Sequence, residues 1–283
     1  MNRKQHFPKK IWCAWHQGLD HAPKHIQKII QLWREFNPDY ELTVFADPET
    51  SEILRSEGIE PSLLTPQVKA DILRSLMLKK YGGVWVDATL LPTRSLDEWL
   101  SPIMRESTFF AFTSSGDPDL IMQNWFLAAQ THSVLMARWC DFYLNYFKSP
   151  RSLHSWKKAL FYLKLTDYFQ YTKFNKTGCR TWFANPEEGR GCFFYPYAIH
   201  NYHLSFLIRT DPEVRREWEA CLTLWHRLPQ MIQRASCDID TSPNDLIAEM
   251  TSFLELSPVH KLNYRDNRFL AVVDTVRSQI GPQ

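Results

Sequence analysis

An α/β fold, a mostly parallel sheet flanked by helices in a Rossmann-like arrangement, is predicted by three features of the sequence. Short apolar runs suited to strands (residues 9–15, 40–45 and 84–86) alternate with segments whose apolar residues recur at helical spacing (23–36, 47–54 and 66–81). The first run, Lys9-Lys10-Ile11-Trp12-Cys13-Ala14-Trp15, is apolar on both faces, as a strand covered by helices on each side requires. Gly82-Gly83 stands between the third helix and the third strand, where a positive φ ends a helix at least cost.

The elements follow in order. The first strand ends at His16-Gln17-Gly18. In residues 23–36, Ile26, Ile29, Ile30 and Trp33 form one apolar face, and Asn37-Pro38-Asp39 ends the helix. Residues 40–45 alternate as a strand, and Ala46-Asp47-Pro48-Glu49 turns into a short helix through Leu54. Thr65 caps the next helix and Pro66 suits its first turn. Val68, Ile72 and Leu76, with Leu73 and Met77, predict one buried face on it. Asp71 and Arg74, three apart, are neighbours on its surface. Val84-Trp85-Val86 then delivers Asp87 at its carboxyl end, where ligands of open α/β sheets bind. Beyond Thr89, residues 90–94 continue extended, 96–100 form a short amphipathic piece, 109–112 a strand and 133–147 a helix. Helices are expected over 212–226 and 243–253, a helix or loop over 229–234, and no pattern decides 202–208.

With 283 residues, the chain is long enough for one large domain, or one domain with a helical extension. Its 44% hydrophobic and 23% charged residues are ordinary for a soluble globular protein, and a net charge of +2 gives no argument for nucleic acid. The six cysteines form no Cys-x-x-Cys pair, so reduced thiols in the cytosol are expected. The N-terminus has no apolar run behind it, and no stretch approaches ~18 apolar residues. The expected location is therefore cytoplasmic, extending to the inner face of a membrane. The abundant aromatics suit a sugar-binding cleft and a large rigid core equally well.

Ala70-Asp71-x-x-Arg74 followed by Lys80-Tyr81-Gly82-Gly83-Val84-Trp85-x-Asp87 resembles the signature of nucleotide-sugar glycosyltransferases with a DXD motif. It is most similar to the bacterial capsular polysaccharide synthesis proteins, related to the α-mannosyl, galactosyl and N-acetylglucosaminyl transferases. The usual second carboxylate of that motif falls at position 89, which here is Thr89; Asp87-Ala88-Thr89 fits the capsular branch and leaves the metal short of a ligand. Pro8-Lys9 to Trp12 with the Gln17-Gly18 turn, Asn124-Trp125-Phe126, Asp167-Tyr168-Phe169 and Pro258-Val259-His260-Lys261-Leu262 resemble further segments of the same family.

The resemblance implies a GT-A-like single domain over 1–283: a nucleotide-sugar-binding half (1–130), a mostly helical acceptor-side half (131–255) and a C-terminal segment (256–283) returning to the donor site. It places Trp15, Gln17 and Gly18 near the nucleotide base, and Asp71 and Arg74 against the donor sugar. Gly83 and Thr89 belong to the donor side, and Lys261 to the diphosphate. Asp87 and His260 are implied as ligands of a divalent cation, Mn²⁺ or Mg²⁺, which would stabilise the leaving diphosphate as a Lewis acid. Asn124 is implied to hold a donor hydroxyl or a phosphate, and Asp167 to orient the acceptor. Each has a plain alternative: Trp15 as core, Asn124 pairing with backbone, Asp167 as a helix cap, His260 as an unremarkable residue. Glu187 and Glu188 are expected in a surface turn rather than in acid–base work.

The expected activity is metal-dependent transfer of a sugar, with retention, from a nucleotide-sugar (a UDP-sugar by preference). The acceptor is a saccharide or lipid-linked saccharide of a surface polysaccharide or glycolipid. The basic residues of 148–180 allow peripheral contact with a phosphate-bearing acceptor or an anionic membrane. The alternatives are a non-catalytic nucleotide-sugar or glycan-binding protein on the same scaffold and a hydrolase of nucleotide sugars.

Overall fold

The computed structural model describes residues 7–114, 116–148, 184–185, 197–237 and 243–279. A six-stranded sheet forms its centre, in the order β2 (Glu41–Phe45), β1 (Lys10–Ala14), β3 (Gly83–Val86), β6 (Met122–Ala129), β5 (Phe109–Thr113), β7 (Leu224–Trp225). β1 pairs parallel with both β2 and β3, and β5 parallel with β7; β6 runs antiparallel to β3 and β5. All strands but β6 thus point the same way, and the mostly parallel sheet flanked by helices is as expected.

Alternation along the central strands divides the core in two. Ile11, Cys13, Val84 and Val86 face α1 (Lys24–Phe36) and α4 (Leu96–Glu106). Trp12 and Trp85 face α3 (Pro66–Tyr81) and α5 (Val134–Lys148). Thr65 does cap α3, its side chain accepting from the Val68 N–H at 3.4 Å, with Pro66 in the first turn. Where one buried face was expected, every residue from Asp71 to Leu78 is buried. α3 is closed in by the sheet on one side and by α5 and α2 (Asp47–Ser56) on others. Asp71 and Arg74 therefore sit inside the molecule.

The glycine pair has two jobs. Gly82 (φ 64°) stops α3, and Gly83 (φ 90°) starts β3. A Cβ on Gly83 would lie 2.5 Å from the carbonyl oxygen of Lys10, and one on Gly82 2.8 Å from that of Ala129. The pair lets β3 slot between β1 and β6, and the Trp12 indole donates to the Gly82 carbonyl at 2.8 Å.

Three expectations are corrected. The amphipathic piece at 96–100 is the start of a longer helix, Leu96–Glu106, closed at its N-terminus by a Ser95/Glu98 capping box. Residues 202–208 lie in α6 (Ile199–Thr210), whose surface is buried nearly all round, so no period shows. The expected helix over 212–226 stops at α7 (Pro212–Ala220), and Leu224–Trp225 becomes edge strand β7. A small antiparallel sheet, which no local pattern announced, joins β4 (Leu90–Pro92) to β8 (Val259–Lys261). Its register sets Leu90 opposite Lys261 and Leu91 opposite His260. This pairing carries the C-terminal segment back to the end of β3.

Candidate active site

The site is built at the carboxyl end of β3. The Asp87 N–H bonds to the Trp125 carbonyl on β6 at 2.9 Å, and the Asp87 carbonyl accepts from Leu90 N–H at 2.9 Å, closing a turn. That turn projects the Asp87 carboxylate forward. One oxygen, Oδ1, accepts from Arg74 Nη2 at 3.0 Å and from Trp85 Nε1 at 3.1 Å; the other, Oδ2, accepts from Lys261 Nζ at 2.8 Å. Lys261 Nζ also donates to Thr89 Oγ1 at 2.7 Å. On the far side, Arg74 Nη1 donates to Asp71 Oδ1, which accepts from Asn124 Nδ2 at 3.1 Å as well.

Asn124, Asp71, Arg74, Asp87, Lys261 and Thr89 thus form one continuous chain of alternating donors and acceptors. Its two carboxylates are matched by two cations. The Arg74 guanidinium lies 4.9 Å over the Trp85 ring and is almost wholly buried, its Nε without a partner. Exposure is uneven along the chain: the side chain is 10% exposed at Asp71, 4% at Arg74, 30% at Asp87 and 17% at Lys261. The chain opens to solvent at Asp87.

The electrostatics differ at the two carboxylates. Burial pushes the Asp71 carboxyl up to about 6; the Arg74 charge opposes this and the Asp87 charge adds to it. Burial raises Asp87 too, but Lys261 and Arg74 outweigh it and hold its carboxyl below the usual range. Two carboxylates joined by one guanidinium are thus set apart, Asp87 firmly ionised and Asp71 titrating near neutrality.

Several expected donor-side residues share this edge. Trp15, Gln17 and Gly18 follow β1, which neighbours β3 in parallel. The Gly18 N–H bonds to the Trp15 carbonyl at 2.9 Å, and Gly18 takes a φ of 83°. The Trp15 ring meets Tyr264 edge-on, with centroids 6.0 Å apart. Gln17 is exposed. Gly83 acts through backbone packing at the opposite, amino end of β3. Asp167, Glu187 and Glu188 lie outside the described residues.

The structure departs from expectation at His260. Strand alternation puts it on the face of β8 opposite Lys261. Its ring is fully buried, and Nε2 pairs with the Leu254 carbonyl at 3.0 Å. Burial pulls its pKa down to about 4, against smaller opposing effects of the Leu254 and Ser257 backbone groups. His260 is a core histidine, on the face of β8 opposite the lysine that reaches the Asp87 carboxylate.

Nor does the donor set fit a resident divalent cation of the expected kind. Asp87 already satisfies two cationic side chains and an indole, position 89 offers a neutral hydroxyl, and the Lys261 ammonium bridges the two. Among the described residues no group of three or more His, Cys, Asp or Glu side chains is placed to hold a metal. A divalent ion ~4 Å from that ammonium would meet roughly 2 kcal/mol of repulsion even at the dielectric constant of water.

Two residues missed in the sequence lie close by. Tyr197, just before α6, is exposed, and Asp71 and Asp87 are near enough to raise its pKa beyond the effect of burial. His200 on α6 is buried, with Nε2 2.9 Å from Ser75 Oγ, which donates to the Asp71 carbonyl at 3.0 Å. Burial, then Arg74 and His203, keep His200 neutral. No motif marks either residue; only the packing of α6 on α3 and α5 reveals them.

Residues 1–187 match the family model described as capsular polysaccharide synthesis protein, and the chain belongs to that family. It is 32% identical over 108 residues to the initiation-specific alpha-1,6-mannosyltransferase of Candida albicans, a match covering 34% of this chain and 27% of that one. It is 29% identical over 154 residues to glycosyltransferase afumC of Aspergillus fumigatus, covering 48% and 39%. The chain spans less than half the length of these curated relatives. Among solved structures, the ligand-free glycosyltransferase domain from the YGT toxin aligns over 97% of this chain and 99% of that one, with 10% identity and a TM-score of 0.42, too low to carry any inference.

Proposed function

We propose that this protein is a glycosyltransferase that moves a sugar from a nucleotide-sugar to a saccharide acceptor. The observation that supports this best is the chain from Asn124 to Thr89, in which a strand-end carboxylate is gripped by a buried guanidinium and a partly exposed ammonium. Breaking the bond between an anomeric carbon and a diphosphate leaves anionic oxygens, and preorganised cations aimed at that charge are each worth about 3 kcal/mol in such sites. Lys261 faces solvent across Asp87 and is suited to the diphosphate. Asp71 and Asn124 present acceptor and donor atoms suited to sugar hydroxyls, with Asp71 selecting rather than reacting. Trp15, Gln17 and Gly18 form the base end, on the same sheet edge.

The finer reading is a UDP-sugar donor, retention of configuration, and an acceptor belonging to a surface polysaccharide or lipid-linked saccharide. Two relatives carry mannosyltransferase or glycosyltransferase names, which supports the sugar-transfer class. No described helix is long and apolar enough to cross a membrane. Lys24, Lys28, Arg34 and Arg277 line one groove, which supports peripheral contact with an anionic surface; a cytoplasmic location belongs to the same reading. Asp167 remains the acceptor-side candidate. The expected Mn²⁺ or Mg²⁺, held by Asp87 and His260, enters no step of this reading.

A panel of UDP- and GDP-sugars screened by thermal shift tests the proposal, because a ligand that binds only the folded state raises the melting temperature. One nucleotide-sugar should stand out and be turned over. If none of the panel shifts the wild type, the reading fails. Full engagement of Asp87 by protein cations also favours a second reading, binding without turnover; a donor that binds tightly but is neither hydrolysed nor transferred would establish it.

A further inference from the structure

We propose that the Lys261 ammonium is itself the resident cation of this site, so that the leaving diphosphate is stabilised without a divalent metal. This rests on the glycosyltransferase reading and specifies its chemistry. The ammonium stands between residues 87 and 89, the two positions from which a strand-end motif would ordinarily offer carboxylates to a metal. It is held there by Asp87 Oδ2 at 2.8 Å and Thr89 Oγ1 at 2.7 Å.

Three further facts fit this role. First, position 89 is a hydroxyl, which can accept from an ammonium without adding the negative charge that a dication would need. Second, β8 is pinned on both sides of the lysine. Lys261 N–H donates to the Pro229 carbonyl at 2.8 Å, Leu262 N–H to the Thr89 carbonyl at 2.9 Å, and the β4 register fixes Leu90 against Lys261. Third, an ammonium has three donors, and Asp87 and Thr89 take two. The side chain is 17% exposed, so the third N–H can reach a ligand entering over the strand end.

The step balances without a metal. The bond from the anomeric carbon to the distal phosphate oxygen breaks, and its electron pair goes to that oxygen, where the Lys261 ammonium offsets the charge, with Arg74 behind it holding Asp87. The acceptor hydroxyl oxygen forms the new bond to the anomeric carbon, and its proton passes to the leaving phosphate. No oxidant or further co-reactant is needed.

Calorimetric titration of UDP and GDP into chelator-treated wild-type protein, with and without added Mn²⁺, tests the proposal. Binding of the preferred nucleotide should change by no more than about twofold on adding Mn²⁺, and should weaken about tenfold or more in Lys261→Met, the loss expected of one charge-assisted hydrogen bond. Lys261→Arg should restore most of it. In a Thr89→Asp/Lys261→Met double variant, binding should return only with Mn²⁺. Wild-type binding that disappears in chelator and returns with Mn²⁺ would overturn the proposal, as would unchanged binding by Lys261→Met. If Lys261→Met does not fold, the wild-type chelator arm still decides. Absence of any nucleotide binding in either condition would instead remove the glycosyltransferase reading beneath it.

Discussion

His260 and Lys261 are consecutive residues on one short strand, yet they belong to different regions of the molecule. Lys261 joins the charged chain at the end of β3, mostly buried but still reached by solvent. His260 sits in the apolar layer behind it, fully buried, with its ring on the Leu254 carbonyl. The pleat of β8 separates them. The contrast teaches that a residue type near a motif says little until register decides which face it takes. A His-Lys pair looks like two site residues in the sequence; in the fold one joins the charged chain and the other joins the core.

The largest effect should come from the charged face. Asp87→Ala removes the acceptor shared by Arg74 and Lys261 and leaves two cations without their common partner. Transfer should fall by about a thousandfold or more, the scale of losing several preorganised contacts at once. Far-UV circular dichroism should stay native. A variant with near-normal turnover would detach the chemistry from β3.

The frame comes next. Gly83→Ala forces a Cβ to 2.5 Å from the Lys10 carbonyl oxygen at a φ of 90°, so β1 and β3 must part. A loss of roughly 3 kcal/mol or more in urea unfolding is expected. A change below 1 kcal/mol would show that the close approach is not needed.

The two faces also separate by pH. The folded pKa of His260 is depressed from 6.5 to about 4, so the unfolded state binds the extra proton in that window. Stability from this residue is complete above pH 6.5 and lost as pH falls toward 4. Asp71 acts oppositely: its folded pKa is raised from 3.8 to about 6, so its contribution is present at low pH and lost as pH rises through that range. His260→Leu should flatten the acid-side loss and leave turnover within about twofold, because the ring touches nothing in the charged chain. Urea titrations at pH 5 and pH 7.5 measure the first, and donor turnover the second. Loss of turnover in this variant, with stability intact, would return His260 to the site. Asp71→Asn should remove the opposite slope and raise the KM for the nucleotide-sugar more than it lowers kcat.

Much of the first region was legible in the chain. Thr65-Pro66 announced a helix start, Gly82-Gly83 its stop, and Val84-Trp85-Val86 a buried strand ending at Asp87. All of this follows from local backbone preferences. The proximity of Asp71, Arg74 and Asp87 was legible for the same reason, since helix, turn and strand are adjacent in sequence. The burial of Arg74 was not, because it depends on α5 and α6 closing over α3. Nor was the side that Lys261 takes, because the β4–β8 pairing joins residues far apart in the chain and leaves no periodic trace. Leu224-Trp225 looked helical because the preceding α7 pattern ran into it; the two residues become strand only where the free edge of β5 offers them hydrogen bonds.

The most direct measurement of the account is nucleotide-sugar turnover in wild-type and Lys261→Met protein, both stripped of metal. Brisk wild-type turnover, cut at least a hundredfold by the substitution, is predicted. Equal rates in the two proteins, or a wild type silent until manganese is added, would contradict it.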